Sequence, residues 1–187
     1  MPFSFTHPYE IDSAFKKKVA YFCMEFGIHQ SLKIYAGGLG FLSGSHMRSA
    51  FELKQNMVGI GILWKYGYYD QVRKQDQTME VSFEEKIYAF LVPTGIKFTI
   101  NVSQHDVWVT AFYLPPQIFN SAPVFLLTTD LPENDYLAKT ISHKLYDANP
   151  ETKIAAAILL GKGGAILLEQ IGWEPDIYHL NLSLIHI

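Results

Sequence analysis

The chain has 187 residues, 49% of them hydrophobic, which is enough for one sizeable core or one lobe of a larger enzyme. Its 15 Lys and Arg against 18 Asp and Glu give a net charge of −3, and the absence of a basic block argues against nucleic acid or an anionic membrane as partner. The single cysteine excludes an internal disulfide, and neither a signal peptide nor an apolar run long enough to cross a bilayer is recognisable. These features favour a cytoplasmic protein.

The first 64 residues predict a βαβ unit. Residues 18–26 (KVAYFCMEF) are β-branched and aromatic, like a buried strand, and residues 41–54 carry apolar side chains at near-helical spacing. A second apolar strand is expected at 56–64 (NMVGIGILW). Such a unit favours a parallel sheet with a right-handed crossover, in which ligands bind at the carboxyl ends of the strands.

The middle of the chain differs in pattern. Segments 86–92, 97–102 and 107–114 are short and alternating, and they predict an antiparallel β insertion. The doubly wound pattern then resumes with a strand at 124–130, a long helix from 150 to about 170 and a strand at 176–181. We find no linker, repeat or low-complexity segment, so we expect one domain of α/β, Rossmann-like fold.

The segment IYAGGLGFLSG (34–44) places Gly37, Gly38 and Gly40 between the first strand and the first helix. Glycine lets the backbone approach a ligand closely, and the first turn of a helix presents unpaired N–H groups to an anion. A phosphate site is therefore one interpretation. A tight strand-to-helix turn without any ligand explains the spacing equally well.

Known nucleotide and metal motifs do not fit. Counting from Gly38, the dinucleotide pattern needs a glycine where Ser43 stands, and GKGG at 161–164 lacks the residues that a phosphate-binding P-loop needs on either side. We expect the glycines of GKGG to allow close helix packing instead. The seven histidines include no pair at helical ligand spacing with a glutamate between them, so no metal is predicted.

Residues 21–71, from YFCMEFGIHQ through the glycine segment, resemble the start of the bacterial α-glucan phosphorylases, which are relatives of glycogen and maltodextrin phosphorylase. The resemblance continues through residues 126–149 to EPDIYHLN at 174–181 and covers roughly residues 8–181. It implies the N-terminal lobe of a B-type glycosyltransferase, truncated before a second Rossmann-like lobe.

The resemblance also implies a chemistry for the parent protein. A phosphorylase of this family uses inorganic phosphate to release glucose 1-phosphate from α-1,4-glucan, with the anomeric configuration retained. Pyridoxal phosphate would be held by a lysine of the second lobe, and its phosphate would act in proton transfer. This chain alone is therefore expected to be inactive and to have no complete catalytic set, and homo-oligomerisation of the parent stays open.

By resemblance, the substrate- and phosphate-binding residues are Gly37, Gly38, Leu39, Gly40, Glu25, Asp147, Asn149 and Asn181. Backbone N–H groups of the glycine turn would meet phosphate and the donor sugar. A salt bridge or helix cap explains Glu25 as well as a place beside the pocket does. Asp147 and Asn149 belong to a loop that a turn before a helix also explains, and this structural interpretation is the favoured one.

The second strand ends in, and is followed by, four aromatic residues, namely Trp64, Tyr66, Tyr68 and Tyr69. They are candidates for stacking on sugars, although packing is the more frequent role of such a cluster.

The last six residues depart from the family. After Asn181 the family continues with Glu-Gly-His, whose histidine contacts the glucosyl unit, whereas this chain has LSLIHI at 182–187. His186 lies two positions too late to replace that histidine. We therefore expect residues 1–181 to form the lobe and residues 182–187 to be a non-native tail.

Two other functions remain open. A nucleotide-sugar glycogen or starch synthase shares the B-type architecture, but synthases carry a lysine two residues before the glycine pair, where this chain has Tyr35. The isolated chain is also compatible with a non-enzymatic carbohydrate-binding module. The tyrosine favours the phosphorylase over the synthase.

Overall fold

A central six-stranded sheet organises the computed structural model, which describes residues 3–181. The strands are β1 (Val19–Phe22), β2 (Met57–Ile62), β3 (Asp70–Arg73), β4 (Met79–Ser82), β5 (Val92–Val102), β6 (His105–Leu114), β7 (Val124–Thr128) and β8 (Ile177–Leu180). The α-helices are α1 (Gly38–Glu52), α2 (Pro116–Phe119), α3 (Tyr136–Thr140), α4 (Pro150–Ile158) and α5 (Gly164–Gln170). A 3-10 turn spans Ser13–Phe15, and a π-helical turn, Leu159–Gly163, joins α4 to α5. The strand order of the central sheet is β5-β6-β7-β2-β1-β8.

The parallel half of the sheet contains β7, β2, β1 and β8, each parallel to its neighbour. All residues of β2 and β7 are buried, as expected for parallel strands covered on both faces. The predicted βαβ unit is confirmed, although β1 ends at Phe22 rather than at residue 26. The α/β, Rossmann-like fold class is confirmed with it.

The predicted antiparallel insertion in the middle of the chain is confirmed, and the structure adds where it lies. β5 and β6 form a hairpin, and β6 pairs antiparallel with β7, so these strands extend the main sheet. Residues 86–91 are not a strand. The small separate sheet is the β3–β4 hairpin, whose strands are only four residues long and mostly exposed, including the apolar Val72, Met79 and Val81.

The helices follow the prediction with two changes. Helix α1 begins at Gly38, so the glycines lie in its first turn instead of in a preceding loop. The long helix from 150 to 170 is present but contains the π-helical turn. A Cβ atom on Gly164 would lie 2.5 Å from a ring carbon of Phe22 and 2.7 Å from Ile60, which confirms that this glycine permits close packing on the sheet.

Within residues 3–181, no helix is long and apolar enough to cross a membrane. In the same range, no group of three or more His, Cys, Asp or Glu is arranged to hold a metal ion. The predicted non-native tail at 182–187 lies outside the described residues. The assignment of residues 1–181 to one lobe stays a prediction.

Candidate functional site

A cavity of about 500 Å³ opens beside the carboxyl ends of β1 and β2, and we call it the main cavity. Met24 and Trp64 line it from just beyond those strands, and Leu39 lines it from the first turn of α1. The opposite wall comes from residues 144–147 and from the first turns of α4. Open α/β sheets bind ligands at this edge, so the position agrees with the prediction from the βαβ unit.

The glycines of the first turn of α1 have two different environments. A Cβ atom on Gly40 would lie 2.6 Å from the Cβ of Tyr35 and 2.8 Å from Oε2 of Glu25, so internal packing explains this glycine. Nothing lies within 4 Å of a Cβ atom built on Gly37 or on Gly38. Packing within the described residues therefore accounts for Gly40 but leaves the bare backbone of the other two unexplained.

The first turn of α1 also offers hydrogen-bond donors. Gly37 is the N-cap and makes no side-chain cap, and the first intrahelical bond runs from the Phe41 N–H to the Gly37 carbonyl. The N–H groups of Gly38, Leu39 and Gly40 precede it and have no acceptor within the helix. The partial positive charge of a helix N-terminus favours an anion at this position.

Glu25 is buried, with 1% of its surface exposed. Its Oε2 accepts the Ala36 N–H at 2.8 Å, and its Oε1 accepts the hydroxyl of Tyr146. Glu25 makes no salt bridge among the described residues, and it is not among the residues that line the main cavity, whereas its donor Tyr146 is. These two hydrogen bonds indicate that Glu25 orders the backbone just before the first turn of α1.

Tyr146 is the residue that the sequence interpretation missed. Its backbone has φ +60°, an uncommon conformation for a tyrosine, and its side chain lines the cavity. Burial of the hydroxyl, followed by its hydrogen bond to Glu25 and the charge of that carboxylate, raises the pKa of Tyr146 above its ordinary value. Tyr146 lies within residues 126–149, which resemble the family, but its hydrogen bond to Glu25 cannot be recognised in the sequence.

Of the other residues predicted from the resemblance, Asp147 lines the main cavity, whereas Asn149 and Asn181 do not. Asp147 lines the main cavity, and its Oδ1 accepts the Asn149 N–H at 2.9 Å. Asn149 is the N-cap of α4, with its side chain accepting the Glu151 N–H, so its favoured structural interpretation agrees with the geometry. Asn181 is buried beyond β8, where its side chain donates to the Tyr21 hydroxyl, and it lines neither this cavity nor the one beside it.

A second cavity, of about 330 Å³, adjoins the first, and we call it the tyrosine cavity. Its lining residues are Tyr68, Tyr69, Phe83, Lys144, Leu145, Tyr146, Asp147 and Ala148. Residues 144–147 line both cavities, so the two form one continuous depression.

The four aromatic residues after β2 do not act alike. Trp64 is buried, and its Nε1 donates to the Met24 carbonyl at 2.7 Å, while Tyr66 packs edge-on against His143. These two are packing residues. Tyr68 and Tyr69 are partly exposed in the tyrosine cavity.

Comparison with known proteins identifies relatives of this chain. It is 48% identical over 165 residues to an uncharacterised protein of Methanocaldococcus jannaschii, an alignment that covers 88% of this chain and 32% of that protein. It is 37% identical over 174 residues to maltodextrin phosphorylase of Thermococcus litoralis, covering 89% of this chain and 21% of the enzyme. Glycogen phosphorylase of Mycobacterium tuberculosis is 28% identical over 180 residues, with coverage of 87% and 20%. This chain is a homologue of the α-glucan phosphorylases.

The chain spans a third or less of the length of these relatives. No family model matches the chain. Among solved structures, the catalytic domain of starch synthase IV from Arabidopsis thaliana, bound to ADP and acarbose, superposes with a TM-score of 0.60 at 15% identity. That superposition covers 88% of this chain and 27% of the synthase domain, and it shows a shared B-type glycosyltransferase fold.

Proposed function

We propose that residues 1–181 are the N-terminal part of an α-1,4-glucan phosphorylase, which releases glucose 1-phosphate from glucan with inorganic phosphate. The open space at Gly37 and Gly38, on the helix turn beside the main cavity, carries this proposal. The sequence relatives named maltodextrin and glycogen phosphorylase support it. The chain by itself is inactive under this proposal, because the second lobe is needed to close the site.

In the complete enzyme, the N–H groups of Gly38 and Leu39 donate to phosphate oxygens. Fixed backbone donors stabilise negative charge without reorganisation, which suits a site where phosphate and a positively charged sugar transition state must be held together. The buried Glu25 carboxylate holds the Ala36 N–H just before the turn, and Tyr146 holds the other carboxylate oxygen. Asp147, which lines the main cavity, accepts hydrogen bonds from sugar hydroxyls.

Pyridoxal phosphate, which the family implies, would supply a phosphate group for proton transfer when bound. Covalent attachment needs a lysine, and the lysines of this chain that line the main cavity are Lys144, which lies over the ring of Phe83, and the exposed Lys153. Neither is buried in the cavity, so the residues present fit an anionic group at the turn of α1 but not a Schiff base. The lysine is assigned to the missing lobe.

A nucleotide-sugar starch or glycogen synthase is the second candidate, and the fold shared with starch synthase IV favours it. A synthase must hold a nucleotide diphosphate, and the position two residues before the glycine pair carries Tyr35 rather than a lysine. We therefore place the synthase second. Cytoplasmic location and homo-oligomerisation of the parent stay predictions.

The test uses the complete gene product, supplied with maltoheptaose and inorganic phosphate. We expect glucose 1-phosphate to form, and Gly38→Ala to lower the rate by about 10²- to 10³-fold, because its methyl group intrudes between the backbone donors and phosphate. Gly161→Ala is the matched control, since a Cβ atom there also meets nothing within 4 Å but lies on the π-helical turn. Glucan extension from a nucleotide sugar, with no phosphorolysis, would instead establish the synthase.

A further inference from the structure

Two histidine rings meet at the edge of the central sheet, and neither lines the main cavity or the tyrosine cavity. His46 lies on α1 and His179 on β8, with their ring centroids 5.9 Å apart. The ring of Tyr21, on β1, contacts both, at 4.9 Å from His46 and 4.8 Å from His179. The proposed function makes no use of this pair.

The surroundings of His46 disfavour a charged ring. Its Nε2 is buried and has no hydrogen-bond partner among the described residues. An imidazolium carries a proton on both ring nitrogens, so protonation of His46 would leave a buried donor unsatisfied. Burial, and secondarily the neighbouring His179, lowers the pKa of His46. A proton on both rings would also place two like charges in contact.

No ion pair among the described residues includes His46 or His179. Burial raises the pKa of Tyr21 to about 12, so the phenol that faces both rings from β1 is neutral near pH 7. On α1 itself, Arg48 adds a positive charge and donates to a backbone carbonyl. Asp176 precedes β8, where its carboxylate accepts a backbone N–H at 2.7 Å. A charge on His46 therefore has no acidic partner.

The strand that carries His179 is weakly held. Among the described residues β8 pairs only with β1, and all four residues of β8 are exposed. Near its ends, the Ile177 N–H donates to the Lys18 carbonyl and the Asn181 N–H to the Phe22 carbonyl, both at 3.0 Å. Segments with few buried contacts open at a lower free energy than the core does. Local opening of β8 therefore needs less free energy than unfolding of the whole sheet.

We propose that the pair His46 and His179 is a pH-sensitive contact that holds β8 on the sheet. With both rings neutral, they pack together beside Tyr21 and keep β8 in place. A proton on His46 releases β8 from β1, while the rest of the sheet stays folded. The inference does not depend on the proposed function.

The direction of the effect follows from proton linkage. Opening of β8 separates the rings and returns His46 to water, so the open form binds the proton at a higher pH than the closed form does. Acidification therefore favours the open form. With an ordinary pKa near 6.5 in the open form, lowering the pH from 7 to 5.5 raises the opening constant by up to about 8-fold.

The test is amide hydrogen exchange of the 187-residue chain, resolved by NMR at pH 7 and pH 5.5 and corrected for the intrinsic exchange rate at each pH. At pH 7 the amides of Ile177 and Asn181 should be less protected than those of β7, whose residues are all buried. Their opening constant should rise by up to about 8-fold at pH 5.5. His46→Gln, which stays neutral, should remove most of this rise. His179→Gln changes an exposed residue and should reduce the rise, because it removes the neighbouring charge.

His143→Gln is the matched control. Burial also lowers the pKa of His143, but this ring lies beside Asp130, with Nε2 3.8 Å from the carboxylate. The variant should make global unfolding less dependent on pH and leave the rise at β8 unchanged. A smaller rise at β8 in this control, or equal protection of β8 and β7 at pH 7, would show that β8 opens only by global unfolding and would overturn the proposal.

A full rise at β8 in His46→Gln would overturn it as well. The amide dispersion of each variant reports its folding. If His46→Gln does not fold, His179→Gln decides, and a rise equal to that of the original chain then contradicts the proposal.

Discussion

The Tyr146 hydroxyl donates a hydrogen bond to the buried Glu25 carboxylate, although the two residues are 121 positions apart in the chain. Glu25 follows β1 and accepts the Ala36 N–H just before α1, while Tyr146 lies in the loop before α4. One carboxylate therefore joins the glycine turn to the opposite wall of the main cavity.

Tyr146→Phe is expected to destabilise the chain by about 1–3 kcal/mol, because it leaves one oxygen of a buried carboxylate without its donor. The measurement is the free energy of unfolding in urea at pH 7. Tyr136→Phe is the matched control, since Tyr136 is 75% exposed. Equal stability of the two variants would mean that water replaces the hydroxyl of Tyr146 without loss.

Gly40→Ala and Gly38→Ala are expected to differ, even though they lie two residues apart. At Gly40 the new methyl group meets Tyr35 and Glu25, and such overpacking typically destabilises by about 1–3 kcal/mol. At Gly38 it meets nothing within 4 Å, and alanine is the better helix former, so stability should stay equal or rise by up to about 1 kcal/mol. Thermal unfolding of both variants measures the difference. A large loss in Gly38→Ala would show that this glycine is structural and would remove the main support for a ligand there.

Stability should fall on mild acidification, partly through His46. Burial, and secondarily the nearby His179, lowers the pKa of His46 below its ordinary value near 6.5. The unfolded chain therefore binds a proton at a higher pH than the folded chain does, and stability present above pH 6.5 is lost as the pH falls from there through the folded-state pKa. His46→Gln should make the decline between pH 7 and 5.5 shallower, as followed by urea unfolding. Some decline should remain, because burial also lowers the pKa of His7 and His143. An unchanged slope in the variant would exclude His46 as a contributor.

The 187-residue chain is expected not to attach pyridoxal phosphate. Lys144 lies over a ring and Lys153 is exposed, so neither provides the buried amine that a stable Schiff base needs. The check is incubation with the cofactor, borohydride reduction and peptide mapping by mass spectrometry. Stoichiometric reduction onto one lysine of this chain would contradict the assignment of the cofactor to the missing lobe.

The free edge of β8 is expected to cause self-association. Among the described residues β8 pairs only with β1, and Ile177, Tyr178 and Leu180 are all exposed. Exposed apolar edge strands recruit further strands, and a lysine on the edge blocks such pairing. Sedimentation velocity should show oligomers that decrease in Leu180→Lys, and only partly in a chain lacking residues 182–187. A strictly monomeric original chain would show that this edge is not exposed in solution.

Much of the fold could be predicted because it rests on local pattern. Buried parallel strands are continuous apolar runs, so β1, β2 and β7 were recognisable, and Pro150 after Asn149 indicated the start of a helix. The hairpin at 70–82 was missed, because its two strands have four residues each and carry few apolar residues, all of them exposed, so no run long enough to indicate a strand stands out.

The sequence by itself determined the βαβ order, the glycine turn at its crossover and the resemblance to the phosphorylases, since each depends on neighbouring residues along the chain. Only the tertiary structure decided that β5 and β6 join the main sheet, because strand pairing depends on contacts between distant segments. It likewise separated Gly40, which internal packing requires, from Gly38, which faces open space, and it brought Tyr146 to Glu25. The physical reason is the same in each case. The spacing of residues along the chain determines local secondary structure, whereas the packing of the whole fold determines which atoms lie within contact distance of a residue.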